Sequence, residues 1–152
     1  MMKTVLFLCT GNYYRSRFAE VLFNHAAAER GLAWRAASRG LWLQDDNFGP
    51  MSRQAIRWLS ERGIVVGEPV RFPQAVTAAE LEAADLIVAV KEEEHRPLLE
   101  ERFPAFRGPV EFWQIHDVYD APPEEILPLL AEEVGRLIER LQQKAANELD
   151  RG

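Results

Sequence analysis

The sequence predicts an α/β fold of three layers, α-β-α, on a small parallel sheet of about four strands with flavodoxin-like or Rossmann-like order. Three observations predict it. Short apolar runs alternate with stretches of helical spacing along the chain, the pattern of βαβ units. The first apolar run, Val5–Leu8, enters a short loop containing glycine, and a helical pattern starts at once behind that loop. The 152 residues, 47% of them hydrophobic, carry no internal repeat, low-complexity tract or linker, so residues 1–152 read as a single domain.

Lys3–Leu8 reads as a buried strand, short and apolar. Arg15–Arg30 reads as a helix with Phe18, Val21, Leu22 and Ala26 on its inner face and Gly31 as its stop. Leu32–Ala37 is a weaker strand pattern, followed by a loop over Ser38–Gly49. Pro50 suits a first helical position, for a helix running to about Arg62 with Met51, Ala55, Trp58 and Leu59 inward. Gly67–Val76 holds two prolines and predicts only a short extended piece. Thr77-x-x-Glu80 is a capping box for a brief helix ending near Ala83. Asp85–Val90 is the clearest strand after the first. Glu92–Arg102 is a charged helix with Leu98 and Leu99 inward; its three leading glutamates read as a solvated start favoured by the helix dipole. Pro109–Trp113 is the last strand and Gln114–Pro123 a loop. A long amphipathic helix closes the chain over about Glu124–Leu149, with Pro128 near its start.

Composition excludes several function classes. A net charge of −6 argues against a nucleic-acid binder. No apolar run approaches a membrane span, and Val5–Leu8 is too short for a signal-peptide core. The single cysteine, Cys9, rules out an internal disulfide or a multi-cysteine zinc site. The expectation is a cytoplasmic protein.

The chemistry concentrates in Cys9-Thr10-Gly11-Asn12-Tyr13-Tyr14-Arg15-Ser16, a C-x5-R-S sequence between a strand and a helix N-terminus. Gly11 and Asn12 tolerate unusual backbone angles. The N–H groups of such a loop converge on one point, where the helix dipole adds positive character: an anion cradle. A lone cysteine is most often a small buried hydrophobe. At the mouth of this loop, amides, dipole and Arg15 all favour its thiolate, the form that attacks phosphorus. The Arg15 guanidinium offers paired donors matching two phosphate oxygens, a fork that lysine lacks. In open parallel sheets ligands sit beyond the C-terminal strand ends. Cys9 follows the first strand and the 114–123 loop follows the last, so a catalytic partner is sought in that loop.

This loop, placed at the start of a chain of this length, resembles the low-molecular-weight protein tyrosine phosphatase family. The resemblance implies a phosphatase acting on aryl phosphate monoesters, above all protein phosphotyrosine or a small aryl phosphate, with inorganic phosphate as competitive ligand. It implies Cys9 as nucleophile, Arg15 as phosphate clamp and an aspartate before the last helix as general acid, with no metal and no cofactor. His116-Asp117-Val118-Tyr119-Asp120 offers two. Asp117, nine residues before Ile126, matches the family spacing and Asp120 does not. By similarity Thr10, Gly11, Asn12, Tyr13, Tyr14 and Ser16 surround the phosphate. Asn12 and Ser16, with Ser38, also brace the loop. Tyr13, Trp42 and Tyr119 are the expected aromatic walls.

The sequence departs from the family in three places. Tyr14 stands where many members carry a second cysteine, so Cys9 has no partner for a protective disulfide and peroxide should harm it lastingly. Val118 replaces the proline after the acid, and Arg71-Phe72-Pro73-Gln74 stands near the place of a His-x-Ala-Arg stretch. Two other functions fit the residues. One is an arsenate reductase using an external thiol, since a relay between cysteines needs more than one. The other is a non-catalytic reader of phosphate or phosphopeptides.

Overall fold

A computed structural model of the protein describes residues 1–151. In chain order the elements are β1 (Lys3–Cys9), α1 (Arg15–Glu29), β2 (Trp34–Gly40), α2 (Arg53–Glu61), α3 (Ala78–Ala83), β3 (Leu86–Ala89), α4 (Glu92–Arg102), β4 (Glu111–Phe112) and α5 (Pro123–Arg151). The four strands form one sheet in the order β2-β1-β3-β4, and every neighbouring pair is parallel. This is the expected α/β architecture with flavodoxin-like order.

Strand alternation sorts the core into two layers. Val5, Phe7 and Cys9 of β1 and Val88 of β3 face α1, α2 and α5, joining Phe18, Phe23, Leu59, Leu130 and Leu137. Leu6 and Leu8, with Ile87 and Ala89, face the other side with Leu81 of α3 and Leu99 of α4. Phe7 lies 5.9 Å from Phe23 and 5.7 Å from Trp113 between ring centroids. Fully burying a side chain of that size contributes roughly 2–3 kcal/mol, so this aromatic trio anchors the central strand. The nucleophile candidate thus ends the best-packed strand of the sheet.

Most elements lie where periodicity placed them, with shifts at the ends. β1 extends through Cys9. β2 begins and ends later than expected and runs to Gly40, so Ser38 is a strand residue and not a loop residue. Gly40 is required there: a Cβ would sit 2.8 Å from the Thr10 carbonyl oxygen, where β2 passes the loop after β1. Pro50 does not open α2. Its carbonyl accepts from Arg17 at 3.0 Å, and Ser52 caps the helix instead, accepting from the Ala55 N–H at 3.3 Å. The capping box of Thr77 and Glu80 forms as expected. β4 keeps only two residues of the predicted strand. α5 starts at Pro123, a favoured first-turn residue, and continues through Pro128. No helix among the described residues is long and apolar enough to cross a membrane.

Candidate active site

Residues 9–16 link the end of β1 to the first turn of α1. Asn12 takes a left-handed φ of 51°, while Gly11 does not, so the unusual backbone angle falls on the asparagine. Side-chain bonds hold it there. The Asn12 amide donates to Ser16 Oγ at 2.9 Å and Ser38 Oγ at 3.0 Å, and its oxygen accepts from Arg71 at 2.9 Å and the Gln74 N–H at 3.0 Å. Ser38 in turn donates to Glu20 at 2.5 Å. Arg71 also reaches Glu20 and both oxygens of Ser38. The Arg71 segment therefore supplies a guanidinium under the loop. None of the backbone N–H groups of residues 11–16 is spent on a protein acceptor among the described residues.

Cys9 Sγ lies 2.9 Å from Ser16 Oγ, which can donate to a thiolate. Cys9 and Arg15 line one cleft together with Tyr13, Tyr14 and Asp117. Arg15 is 2% exposed, and three of its five N–H donors are bonded, leaving Nε–H and one Nη2–H without a hydrogen-bond acceptor among the described residues. It donates to Glu94 at 2.7 and 3.2 Å and to the Ile115 carbonyl at 3.0 Å, and Asp117 Oδ2 stands 3.6 Å away. Burial alone would make its charge costly. The Glu94 hydrogen bonds and the negative charge around it outweigh burial and raise its pKa, so it stays a guanidinium.

Glu94 is held in turn. His95 is fully buried, and its Nδ1 accepts from the Lys91 N–H at 3.0 Å, which fixes the neutral imidazole with its proton on Nε2. That Nε2–H stands 3.1 Å from both Glu94 and Thr10 Oγ1, a neutral donor to a carboxylate and not an ion pair. The Thr10 hydroxyl completes the group on Glu94. Burial lowers the His95 pKa, in keeping with the neutral ring. Burial raises that of Glu94, but bonds from His95, Arg15 and Thr10 and the Arg15 charge hold it well below the carboxylate range.

A carboxylate with a depressed folded pKa stabilises the fold fully above its ordinary value of 4.5 and loses that contribution as pH falls toward the folded value. The melting temperature is therefore expected to drop as pH falls below about 5, and Glu94→Gln should flatten that drop. Melting curves of both proteins between about pH 3 and 7 test this; parallel profiles would remove Glu94 as the titrating group.

The other wall of the cleft comes from the loop after β4. Asp117 Oδ1 accepts from the Val118 N–H at 2.8 Å, and the Asp117 carbonyl accepts from Asp120 at 2.9 Å and Ala121 at 3.1 Å. Valine at 118 supplies an N–H that proline would lack, so the turn closes without proline. Asp120 pairs with Lys91 at 3.2 Å and is not part of the cleft, and His116 is exposed. Tyr119 and Phe48 stand at the mouth, each 83% exposed, and the Tyr13 hydroxyl donates to the Phe48 carbonyl.

Two expected contacts differ. Trp42 does not line the cleft: its N–H bonds the Thr10 carbonyl at 2.9 Å, but its ring stacks 4.1 Å from the Arg102 guanidinium of α4. The Thr10 side chain likewise turns to Glu94 and His95, away from the cleft. Asn12, Ser16 and Ser38 are buried behind the loop as bracing groups. Among the described residues no group of three His, Cys, Asp or Glu could hold a metal ion.

The family model described as low molecular weight phosphotyrosine protein phosphatase matches residues 4–151. The chain belongs to this family. It is 31% identical over 106 residues, 70% of this chain and 67% of the relative, to a protein-arginine-phosphatase of Bacillus subtilis (strain 168). Its fold matches a low molecular weight protein tyrosine phosphatase from T. tengcongensis with a TM-score of 0.74 at 29% identity, covering 93% of this chain and 99% of the other. A thioredoxin-dependent arsenate reductase from Corynebacterium glutamicum shares the fold at 22% identity and a TM-score of 0.71, covering 94% of this chain and 63% of the other.

Several residues that shape the site in this member of the phosphatase family were not singled out from sequence. Glu94 and His95 are the main ones. A signal for them exists: they lie four residues before Leu98 and Leu99, hence on the inward face of α4. Arg17 is a second case. It is 4% exposed and donates to the carbonyls of Pro50 and Arg71 at 3.0 and 2.9 Å, tying two loops to α1. Burial, with Arg71 nearby, lowers its pKa to about 10, so it remains charged at neutral pH. No pattern in the sequence marks a buried arginine of this kind.

Proposed function

We propose that the protein is a cysteine-dependent phosphatase for aryl phosphate monoesters, with phosphotyrosine in proteins as the substrate class. The observation that carries this reading is the convergence of Cys9, Arg15 and Asp117 on one cleft at the C-terminal strand ends. The free N–H groups of the loop and the Arg15 fork suit the equatorial oxygens of a phosphoryl group. The Cys9 thiolate attacks phosphorus as the bond to the phenolic oxygen breaks, and Asp117 gives its proton to that oxygen. Asp117, now a carboxylate, takes a proton from water. The water attacks the phosphocysteine, releasing inorganic phosphate and the thiolate. Glu94 positions Arg15 throughout, held itself by His95 and Thr10. The exposed rings of Phe48 and Tyr119 at the mouth suit a phenyl ring carried on a protein surface. A single cysteine leaves arsenate reduction dependent on an external thiol.

A second reading, a phosphatase for phosphoarginine, is favoured by Asp46, which joins Asp117 among the cleft-lining residues. Two carboxylates near the leaving group suit a guanidinium, and the relative named above is a protein-arginine-phosphatase. Hydrolysis of one peptide carrying either phosphotyrosine or phosphoarginine separates the two. A kcat/KM at least about tenfold higher for phosphotyrosine is expected; the reverse order would replace tyrosine by arginine, and hydrolysis of neither would overturn the phosphatase reading.

A further inference from the structure

Two buried side-chain polar atoms lack a hydrogen-bond partner among the described residues: the Tyr14 hydroxyl and Asn47 Nδ2. Both residues line the cleft that holds Cys9, Arg15 and Asp117. They reach it from different segments. Tyr14 is the residue before α1, 7% exposed, with its ring in the core cluster shared with α1 and α5. Asn47 belongs to the segment after β2, and its Nδ2 would lie 3.9 Å from a Cβ built on Gly11 of the phosphate loop.

Buried polar groups are nearly always paired, because an unpaired one forfeits its hydration without return. A phenylalanine at 14 would fill the same space without that cost. The two orphans coincide with one cleft and share one chemistry: Nδ2 can only donate, and a phenol donates readily. Burial, reinforced by the Asp117 charge, pushes the Tyr14 pKa up to about 12, so its proton is retained at working pH. What completes both groups is a ligand rich in acceptors.

We infer that the Tyr14 hydroxyl and the Asn47 amide donate hydrogen bonds to the oxyanion bound over Cys9, extending the phosphate cradle beyond the backbone amides and the Arg15 guanidinium. This rests on the phosphatase reading above. It gives Tyr14 a role distinct from the cysteine that it replaces in the family pattern: a binding donor in place of a redox partner. Asn47 becomes a ligand contact outside the motif.

Inorganic phosphate is the probe. Calorimetric titration of the wild type, Tyr14→Phe and Asn47→Leu is expected to show phosphate bound about tenfold more weakly by each variant, the loss of one hydrogen bond to a charged group. For Tyr14→Phe the melting temperature without phosphate should hold or rise, because the orphan hydroxyl is gone, while kcat/KM for an aryl phosphate falls about tenfold. A structural role would give the opposite pair, a lower melting temperature with unchanged phosphate affinity, and would overturn the assignment for that residue. Variants matching a wild type that binds phosphate and hydrolyses aryl phosphates refute the donor assignment alone. A wild type that does neither refutes the phosphatase reading, and the donor assignment with it.

Discussion

Cys9→Ser is expected to abolish aryl phosphatase turnover, by about 10⁴-fold or more, while leaving phosphate binding intact. The hydroxyl of serine ionises far less readily than a thiol, Ser16 Oγ 2.9 Å from the present sulfur is no base, and Asp117 carries its proton for the leaving group in this first step and so does not activate an alcohol. The cradle does not depend on sulfur. It consists of the backbone amides of 11–16 and the Arg15 guanidinium, which Glu94 and the Ile115 carbonyl hold in place. Removing a negative thiolate from beneath a phosphate dianion takes away a repulsion, so the variant should bind phosphate as tightly as the wild type or more so. Steady-state assay with p-nitrophenyl phosphate and calorimetry with inorganic phosphate read the two halves. Turnover unchanged in Cys9→Ser would exclude the phosphocysteine route.

Asp117→Ala should slow phenyl phosphate hydrolysis by about 10²–10⁴-fold, the usual worth of a positioned general acid. The loss should shrink to less than about tenfold for an ester of a strongly acidic phenol, which departs without a proton. Asp117 sits 3.6 Å from Arg15, on the cleft, with its other oxygen fixed by the Val118 N–H. The rival Asp120 is engaged by Lys91. Rates for a series of aryl phosphates of graded leaving-group pKa distinguish an acid from a residue that merely shapes the loop. Equal losses across the series would assign proton donation elsewhere. If the substrate is phosphoarginine the dependence persists, because a departing guanidine is a strong base and needs the same proton.

Local pattern carried much of this molecule. The apolar run of β1, the period of α1 and α5, the Thr77 capping box and the β3 segment each satisfy their backbone and apolar demands with near neighbours, so spacing reveals them. Pattern failed where a distant group took over. Pro50 lost the start of α2 because its carbonyl is bonded to Arg17 and Ser52 is the better cap. Trp42 left the cleft because the Arg102 guanidinium lies under its ring.

The sheet architecture and the C-x5-R-S loop at its rim can be read from residue order alone, because both rest on short-range chemistry: strand and helix periods, and residues adjacent in the chain. What grips that loop comes from contacts between segments far apart in the chain. Glu94 meets Arg15 across 79 residues, the Ile115 carbonyl across 100 and Arg71 meets Asn12 across 59. Periodicity tells which face a side chain takes, but the partner waiting there is set by how β1, β3 and the loops pack side by side. The same packing leaves the Tyr14 hydroxyl and Asn47 Nδ2, both on the cleft, without hydrogen-bond partners among the described residues.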